Sequence, residues 1–204
     1  MFNRELLMPP STEVAPRLLG ATLSHTTPEG TVSVRLTEVE AYLGALDPGS
    51  HAYRGRTARN AVMFGEPGHL YTYFSYGMHV CANVVCLPEG SASGVLLRAG
   101  EVVEGAALAR RRRATSKTDA DLARGPGRLA AALGITLDDG GADLGAPPFG
   151  ITWPEGVASF ETGPRTGLSG SGGTAEYPWR FWLPGESSVS SYRSSPARPP
   201  RPRG

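Results

Sequence analysis

Tyr71-Thr72-Tyr73-Phe74-Ser75-Tyr76-Gly77-Met78-His79-Val80-Cys81-Ala82-Asn83-Val84-Val85 is the stretch on which the architecture turns. Two runs of strand-forming residues flank Tyr76-Gly77, so it reads as a β-hairpin with an aromatic at its tip. A tyrosine and a methionine on a turn either pack beneath another loop or act as a wedge pushed into something flat and apolar. Stacked nucleic-acid bases are such a target.

Upstream, Thr31 to Leu43 is rich in β-branched residues, and strict alternation puts Val32, Val34, Leu36, Glu38, Glu40 and Tyr42 on one face. Next-but-one residues on a strand lie roughly 6.5–7 Å apart, so Glu40 and Tyr42 can line one pocket the size of a planar heterocycle. Glu38 reads as a solvated strand end. Glu40, set between Val39 and Ala41, reads as a buried, functional carboxylate, because lone buried acids are costly without a partner or a task. Gly44 to Gly68 is a long loop, and loops of that length inside a domain are usually functional. Its Arg54, Arg56 and Arg59 suit phosphate contacts, with a merely solvated loop as the alternative.

The 204 residues, 40% of them hydrophobic, suffice for one core, and no repeat or linker divides them. A net charge of +1 conceals segregation. Residues 50–65 hold three arginines and no acid, whereas 136–162 hold acids and no base, so an anionic partner is not excluded. Cys81 and Cys86 sit at odd spacing in a strand, which directs their thiols to opposite faces and away from a shared disulfide or metal. His25, His51, His69 and His79 are scattered, and neither a zinc site nor a cofactor is expected. Free thiols, no signal peptide and no spanning segment place the protein in the cytoplasm or nucleoid, with no membrane association.

Elsewhere, residues 10–20 predict a short helix with Ser11 as N-cap and Gly20 as stop. Ala21 to Ser24 predicts a strand, followed by a turn at Thr27-Pro28-Glu29-Gly30. Gly94 to Ala99 predicts a strand, Glu101 to Arg113 a helix ending in four arginines, and Gly125-Pro126 the start of another helix. Pro164 to Thr174 matches no glycine-rich nucleotide motif and is given no site. Trp179 to Leu183 predicts a last core strand. Residues 1–186 are expected to form the domain, and 187–204, rich in Ser, Pro and Arg, a disordered tail.

Thr37-Glu38-Val39-Glu40-Ala41-Tyr42-Leu43-Gly44, His51, Met63-Phe64, Pro67-Gly68, Leu70 to Tyr73, Tyr76-Gly77-Met78, Asn83 and Val95-Leu96-Leu97-Arg98 together resemble the alkyladenine (3-methyladenine) DNA glycosylase family. The likeness runs from the first helix to about Leu183. It implies an α+β fold, a single mixed domain with a curved antiparallel β-sheet flanked by helices and a protruding hairpin. It further implies a monofunctional enzyme that flips and excises alkylated or deaminated purines from duplex DNA. Carried onto these positions, Glu40 would be the general base, and Arg98 would hold the attacking water and a nearby phosphate. Tyr42 would stack on one face of the extruded base and His51 and Tyr73 on the other, with Asn83 rejecting guanine at the pocket floor. Tyr76 would fill the gap in the minor groove beside Met78 and His79, although His79 stands where eukaryotic members carry an aromatic.

The chemistry needs such a carboxylate, because excision requires a water aimed at the anomeric carbon, and a cationic alkylated purine departs with little acid help. Lyase activity would need an amine, and the one lysine, Lys117, lies far from the pocket residues in sequence. A non-catalytic binder of damaged or bent DNA is the alternative from another class. A monomer is expected, since nothing marks a coiled coil or second apolar face.

Overall fold

Thr22–Thr27 (β1) and Gly30–Tyr42 (β2) form the first hairpin of the computed structural model, which describes residues 2–75 and 77–194. They pair antiparallel from Thr22 opposite Arg35 to Thr27 opposite Gly30. Gly30 closes the turn at φ +129, a conformation that other residues rarely adopt. Leu70–Ser75 (β3), His79–Val85 (β4), Gly94–Glu104 (β5), Phe149–Thr152 (β6), Glu161–Gly163 (β7) and Arg180–Trp182 (β8) complete one eight-stranded antiparallel sheet. The main path runs β3-β4-β5-β2-β1-β6 and does not close, with β8 on β2 and β7 on β8. Strand β2 is the spine: β5 follows one edge, and the other edge takes β1 first and then β8, opposite Glu38 to Glu40.

Among the described residues three α-helices flank the sheet: Ser11–Leu18 (α1), Ala106–Arg112 (α2) and Pro126–Leu133 (α3). Val14 and Leu18 of α1, Leu108 of α2, and Leu129 and Leu133 of α3 share one core with Leu23, Val34, Leu36, Val39 and Leu97 of the strands. The expected α+β single domain with an antiparallel sheet flanked by helices is therefore what the chain forms, and the sheet is open. At about 25 cal/mol per Å² of apolar surface buried, this common core is the main force aligning the strands.

Four local expectations are corrected. Strict alternation along β2 fails, because the pairing with β5 shifts register around Glu38. An extra residue in one strand reverses the inside-outside parity beyond it. Val32, Val34 and Leu36 enter the core, but so do Val39 and Ala41, and Glu38, Glu40 and Tyr42 fall on the face away from Leu36. Second, Glu38 is not solvated: it has 0% exposure. Third, the helix predicted from Glu101 begins only at Ala106, because Glu101 to Glu104 extend β5 opposite Ser33 to Arg35. Arg35 bridges Glu101 at 2.8 Å, and the Ser33 hydroxyl donates to Glu104 at 2.7 Å, so cross-strand partners outweigh local helical preference. Fourth, Ser11 is the first helical residue rather than the cap, and its hydroxyl donates to the Tyr42 carbonyl at 2.9 Å.

The C-terminal segment also stays on the fold beyond Glu186. Ser188 is 2% exposed and shares a 2.8 Å hydroxyl contact with Thr37, so residues 187–194 do not behave as the expected tail. The remainder of that tail, 195–204, lies outside the described residues. Among the described residues no helix is long and apolar enough to cross a membrane.

Candidate active site

The register shift in β2 decides where the chemistry sits. By turning Glu40 and Tyr42 away from the core, it sets them at one wall of a cavity of about 540 Å³. Strands β3 and β4 bring Tyr71, Tyr73, Cys81 and Asn83 to that cavity, β5 brings Leu96 and Arg98, and the 44–68 loop brings His51 and Met63. The loop after β7 closes it with Thr166, Gly167 and Leu168, and Arg193 comes from the C-terminal segment.

Glu40 has 0% exposure, and three donors meet its carboxylate. The Thr166 backbone N–H donates to Oε1 at 2.7 Å, and the Tyr42 hydroxyl donates to Oε2 at 2.9 Å. Arg98 Nη1 stands 3.3 Å from Oε1. Charge-assisted bonds of this kind fix a carboxylate's orientation, which a proton acceptor in catalysis needs. Burial works against the Arg98 charge, but Glu40 and Glu38 outweigh it and leave Arg98 a permanent cation.

Arg98, expected to hold the attacking water and a nearby phosphate, instead reaches Glu40, is 6% exposed, and donates through its Nε to Glu38 at 3.0 Å. A guanidinium so occupied is a partner of carboxylates rather than an outward phosphate contact. Arg180 of β8 meets the same Glu38 oxygen at 2.6 Å.

Tyr42 is held from behind by a residue that sequence reasoning passed over. Arg165 is 1% exposed, with its guanidinium carbon 4.5 Å from the Tyr42 ring centre and 5.3 Å from that of Trp179. Its two terminal nitrogens clasp Asp47 at 2.5 and 2.6 Å, and Nη1 also donates to the Ala41 carbonyl at 2.9 Å. The segment Pro164 to Thr174, given no role from its glycine pattern, thus supplies both the support for Tyr42 and the amide on Glu40. An arginine between an Asp-Pro-Gly turn and a tyrosine 100-odd positions away leaves no signal in one sequence.

Also lining the cavity, Tyr71 and Tyr73 lie near-parallel at 26° with centres 5.6 Å apart, and His51 stands edge-on to Tyr73 at 81° and 4.6 Å. His51 and Tyr73 therefore cannot both lie flat against the same planar base, which narrows the shared stacking role expected of them. The Tyr71 hydroxyl and His51 Nδ1 are 3.0 Å apart. Packing against these rings, with the Arg59 charge, holds the His51 pKa below its usual value. Burial raises the phenol pKa values of Tyr42, Tyr71 and Tyr73, aided at Tyr42 and Tyr73 by the Glu40 charge, so all three are neutral at physiological pH. Asn83 is 5% exposed and donates through Nδ2 to the Tyr71 carbonyl at 3.2 Å, which sets its amide plane at the cavity.

At the rim, Met78 is 72% and Phe74 50% exposed, and His79 is also exposed, so the β3-β4 hairpin presents apolar side chains outward. Tyr76, expected at its tip, lies outside the described residues. Arg54, Arg56 and Arg59 are all exposed on a loop stapled by buried Asn60, whose amide donates to the His51 and Gly55 carbonyls at 3.0 and 3.1 Å. By contrast Arg110 and Arg112 pair with Asp119 and Glu29, so those two serve the architecture. Cys81 lines the cavity whereas Cys86 enters the core, both as buried free thiols, in keeping with their odd spacing.

An antiparallel α+β domain with one carboxylate and several aromatic side chains lining a common cavity, and with an exposed apolar hairpin, is the arrangement that the resemblance in the sequence leads one to expect. The comparisons with known proteins agree. The methylpurine-DNA glycosylase family matches residues 5–187, and the chain belongs to that family of DNA repair glycosylases. A protein of Leifsonia xyli subsp. xyli is 62% identical over 200 residues, covering 96% of this chain and 94% of its own. One of Streptomyces avermitilis is 55% identical over 202 residues, covering 97% and 94%. A third, of Corynebacterium glutamicum, is 47% identical over 187 residues, covering 92% and 95%. Each of the three bears the name "Putative 3-methyladenine DNA glycosylase".

Proposed function

We propose that this protein is a monofunctional glycosylase that flips alkylated or deaminated purines, of the 3-methyladenine, hypoxanthine and ethenoadenine class, out of duplex DNA and hydrolyses their N-glycosidic bonds. The observation that carries the reading is Glu40: a fully buried carboxylate, ringed by donors, at the wall of a cavity shared with Tyr42, His51 and Tyr73. A purely architectural acid would not open onto that cavity, and a mere binder of phosphodiester gains nothing from an anion there.

In this mechanism water attacks C1′ of the lesion nucleotide, Glu40 accepts its proton, and the C1′–N bond breaks with its electron pair passing to the purine. The products are the free base and an abasic site. For a cationic 3-methylpurine the departing base becomes neutral, so the reaction needs no acid at the base. The negative charge of Glu40 also stabilises the oxocarbenium character developing at C1′. Flipping costs a few kcal/mol, and stacking on the cavity aromatics returns roughly 1–3 kcal/mol per base. Tyr76, between the paired residues Ser75 and His79, would fill the space left in the duplex. Lys117 is exposed and is not among the cavity residues, which favours hydrolysis over a Schiff-base route.

Single-turnover base release from duplexes carrying each of the three lesions, with wild type and Glu40→Gln, tests the reading. Wild type should release at least one base, and Glu40→Gln should slow that step by ~10²–10⁴-fold with duplex affinity retained. Tight, salt-sensitive binding by both proteins with no release of any base would identify a damaged-DNA binder instead.

A further inference from the structure

Glu38 is a second fully buried carboxylate two residues from Glu40, and it does not line the cavity. Four donors meet it. Its Oε1 accepts from Arg98 Nε at 3.0 Å, from Arg180 Nε at 2.6 Å and from the Ser190 hydroxyl at 3.0 Å. Its Oε2 accepts from the Ser190 backbone N–H at 2.7 Å. Arg98 in turn donates through Nη2 to the Ser190 hydroxyl at 3.2 Å. A guanidinium is a rigid plane, so fixing Nε and Nη2 fixes the third nitrogen, Nη1, and that is the nitrogen facing Glu40 at 3.3 Å.

A second route joins the same segment to the same acid. The Gly167 N–H donates to the Arg193 carbonyl at 2.8 Å, and the adjacent Thr166 N–H donates to Glu40 Oε1 at 2.7 Å. Residues 187–194 thus contact the supports of Glu40 on both sides, through Ser190 and Glu38 to Arg98, and through Arg193 to the Thr166-Gly167 amides.

We propose that Glu38 is a positioning residue for base excision, acting on Glu40 through Arg98, and that Ser190 of the C-terminal segment completes the active site by capping it. This role presupposes that Glu40 is the general base. Without Glu38, two buried arginines lose their shared anion, Arg98 is drawn wholly to Glu40 or swings away, and the carboxylate leaves its line to the water. Misplacement of about 1 Å at such a site costs about 100-fold in rate.

The test is a double-mutant cycle on single-turnover release of the fastest-released lesion in the panel above. Glu38→Gln and Ser190→Ala are each made in wild type and in Glu40→Gln, with duplex affinity measured alongside. Glu38→Gln should slow release by about 100-fold in wild type but by no more than about 2-fold in Glu40→Gln, with duplex affinity unchanged. Should Glu38→Gln fail to fold, Ser190→Ala removes two hydrogen bonds and no charge. It should slow release by about 10-fold, again only where Glu40 is intact. Equal slowing in both backgrounds would reduce Glu38 to architecture and overturn the assignment, as would an unchanged rate in the wild-type background. An undiminished rate in Glu40→Gln alone would instead overturn the base assignment, and with it this role, whatever the second substitution does.

Discussion

Tyr42 donates its phenolic hydrogen to Glu40 Oε2 at 2.9 Å, so the aromatic face of the cavity and its carboxylate are one hydrogen-bonded unit. Stacking and positioning can therefore be separated by substitution. Tyr42→Phe keeps the ring and loses the bond, and hydrogen bonds to charged groups are worth about 1.5–3 kcal/mol. It should bind lesion duplex like wild type and release base about 10-fold more slowly. Tyr42→Ala should also weaken binding by roughly 1–3 kcal/mol. Affinity by anisotropy and single-turnover rates on both variants check this, and loss of affinity in Tyr42→Phe would contradict it.

Arg165 and Asp47 both have side chains with 0% exposure, and they clasp through two contacts. Removing one partner of such a pair leaves an uncompensated buried charge and typically costs about 3–5 kcal/mol. Arg165→Leu should lower the urea midpoint accordingly. Arg165→Lys keeps the charge but cannot form the fork or lie flat on Tyr42, and should fall between the two. A Lys variant as stable as wild type would show that the fork is dispensable.

The raised phenols of Tyr42, Tyr71 and Tyr73 link stability to alkaline pH. Below the unfolded value of about 10 these phenols are neutral in both states and their contribution to stability is complete. Above it the unfolded chain gives up protons that the folded chain retains, so stability falls as pH rises further. Of the seven tyrosines, these three should resist ionisation in an ultraviolet titration until the protein unfolds. Smooth titration of all of them with native circular dichroism retained would refute this.

Arg54, Arg56 and Arg59 stand exposed on the loop that carries His51. Each phosphate contact contributes about 0.9 to the slope of log affinity against log salt. Replacing one arginine by serine should weaken binding to lesion and undamaged duplexes alike and lower that slope by about one. An unchanged slope in all three variants would leave the loop merely solvated.

Much of this protein is readable from its residues in order. The β-branched runs at 31–43 and 71–85, with the turn residues between strands, determine an antiparallel sheet and its hairpin. The blocks around Glu40, Tyr42, His51, Tyr73, Asn83 and Arg98 determine which side chains gather at one cavity. Where the periodic pattern and the structure disagree, partners distant in the chain are responsible. The register shift against β5 reverses the β2 faces at Glu38, and pairing with Ser33 to Arg35 holds Glu101 to Glu104 in a strand. Arg165 behind Tyr42, the Thr166 amide on Glu40, and Ser190 and Arg180 on Glu38 lie more than a hundred residues from the acids and ring they serve. No local spacing encodes such contacts. Only the closed fold decides them, because a buried carboxylate or guanidinium must find its partner wherever packing brings one within hydrogen-bond reach, and packing has no regard for distance along the chain.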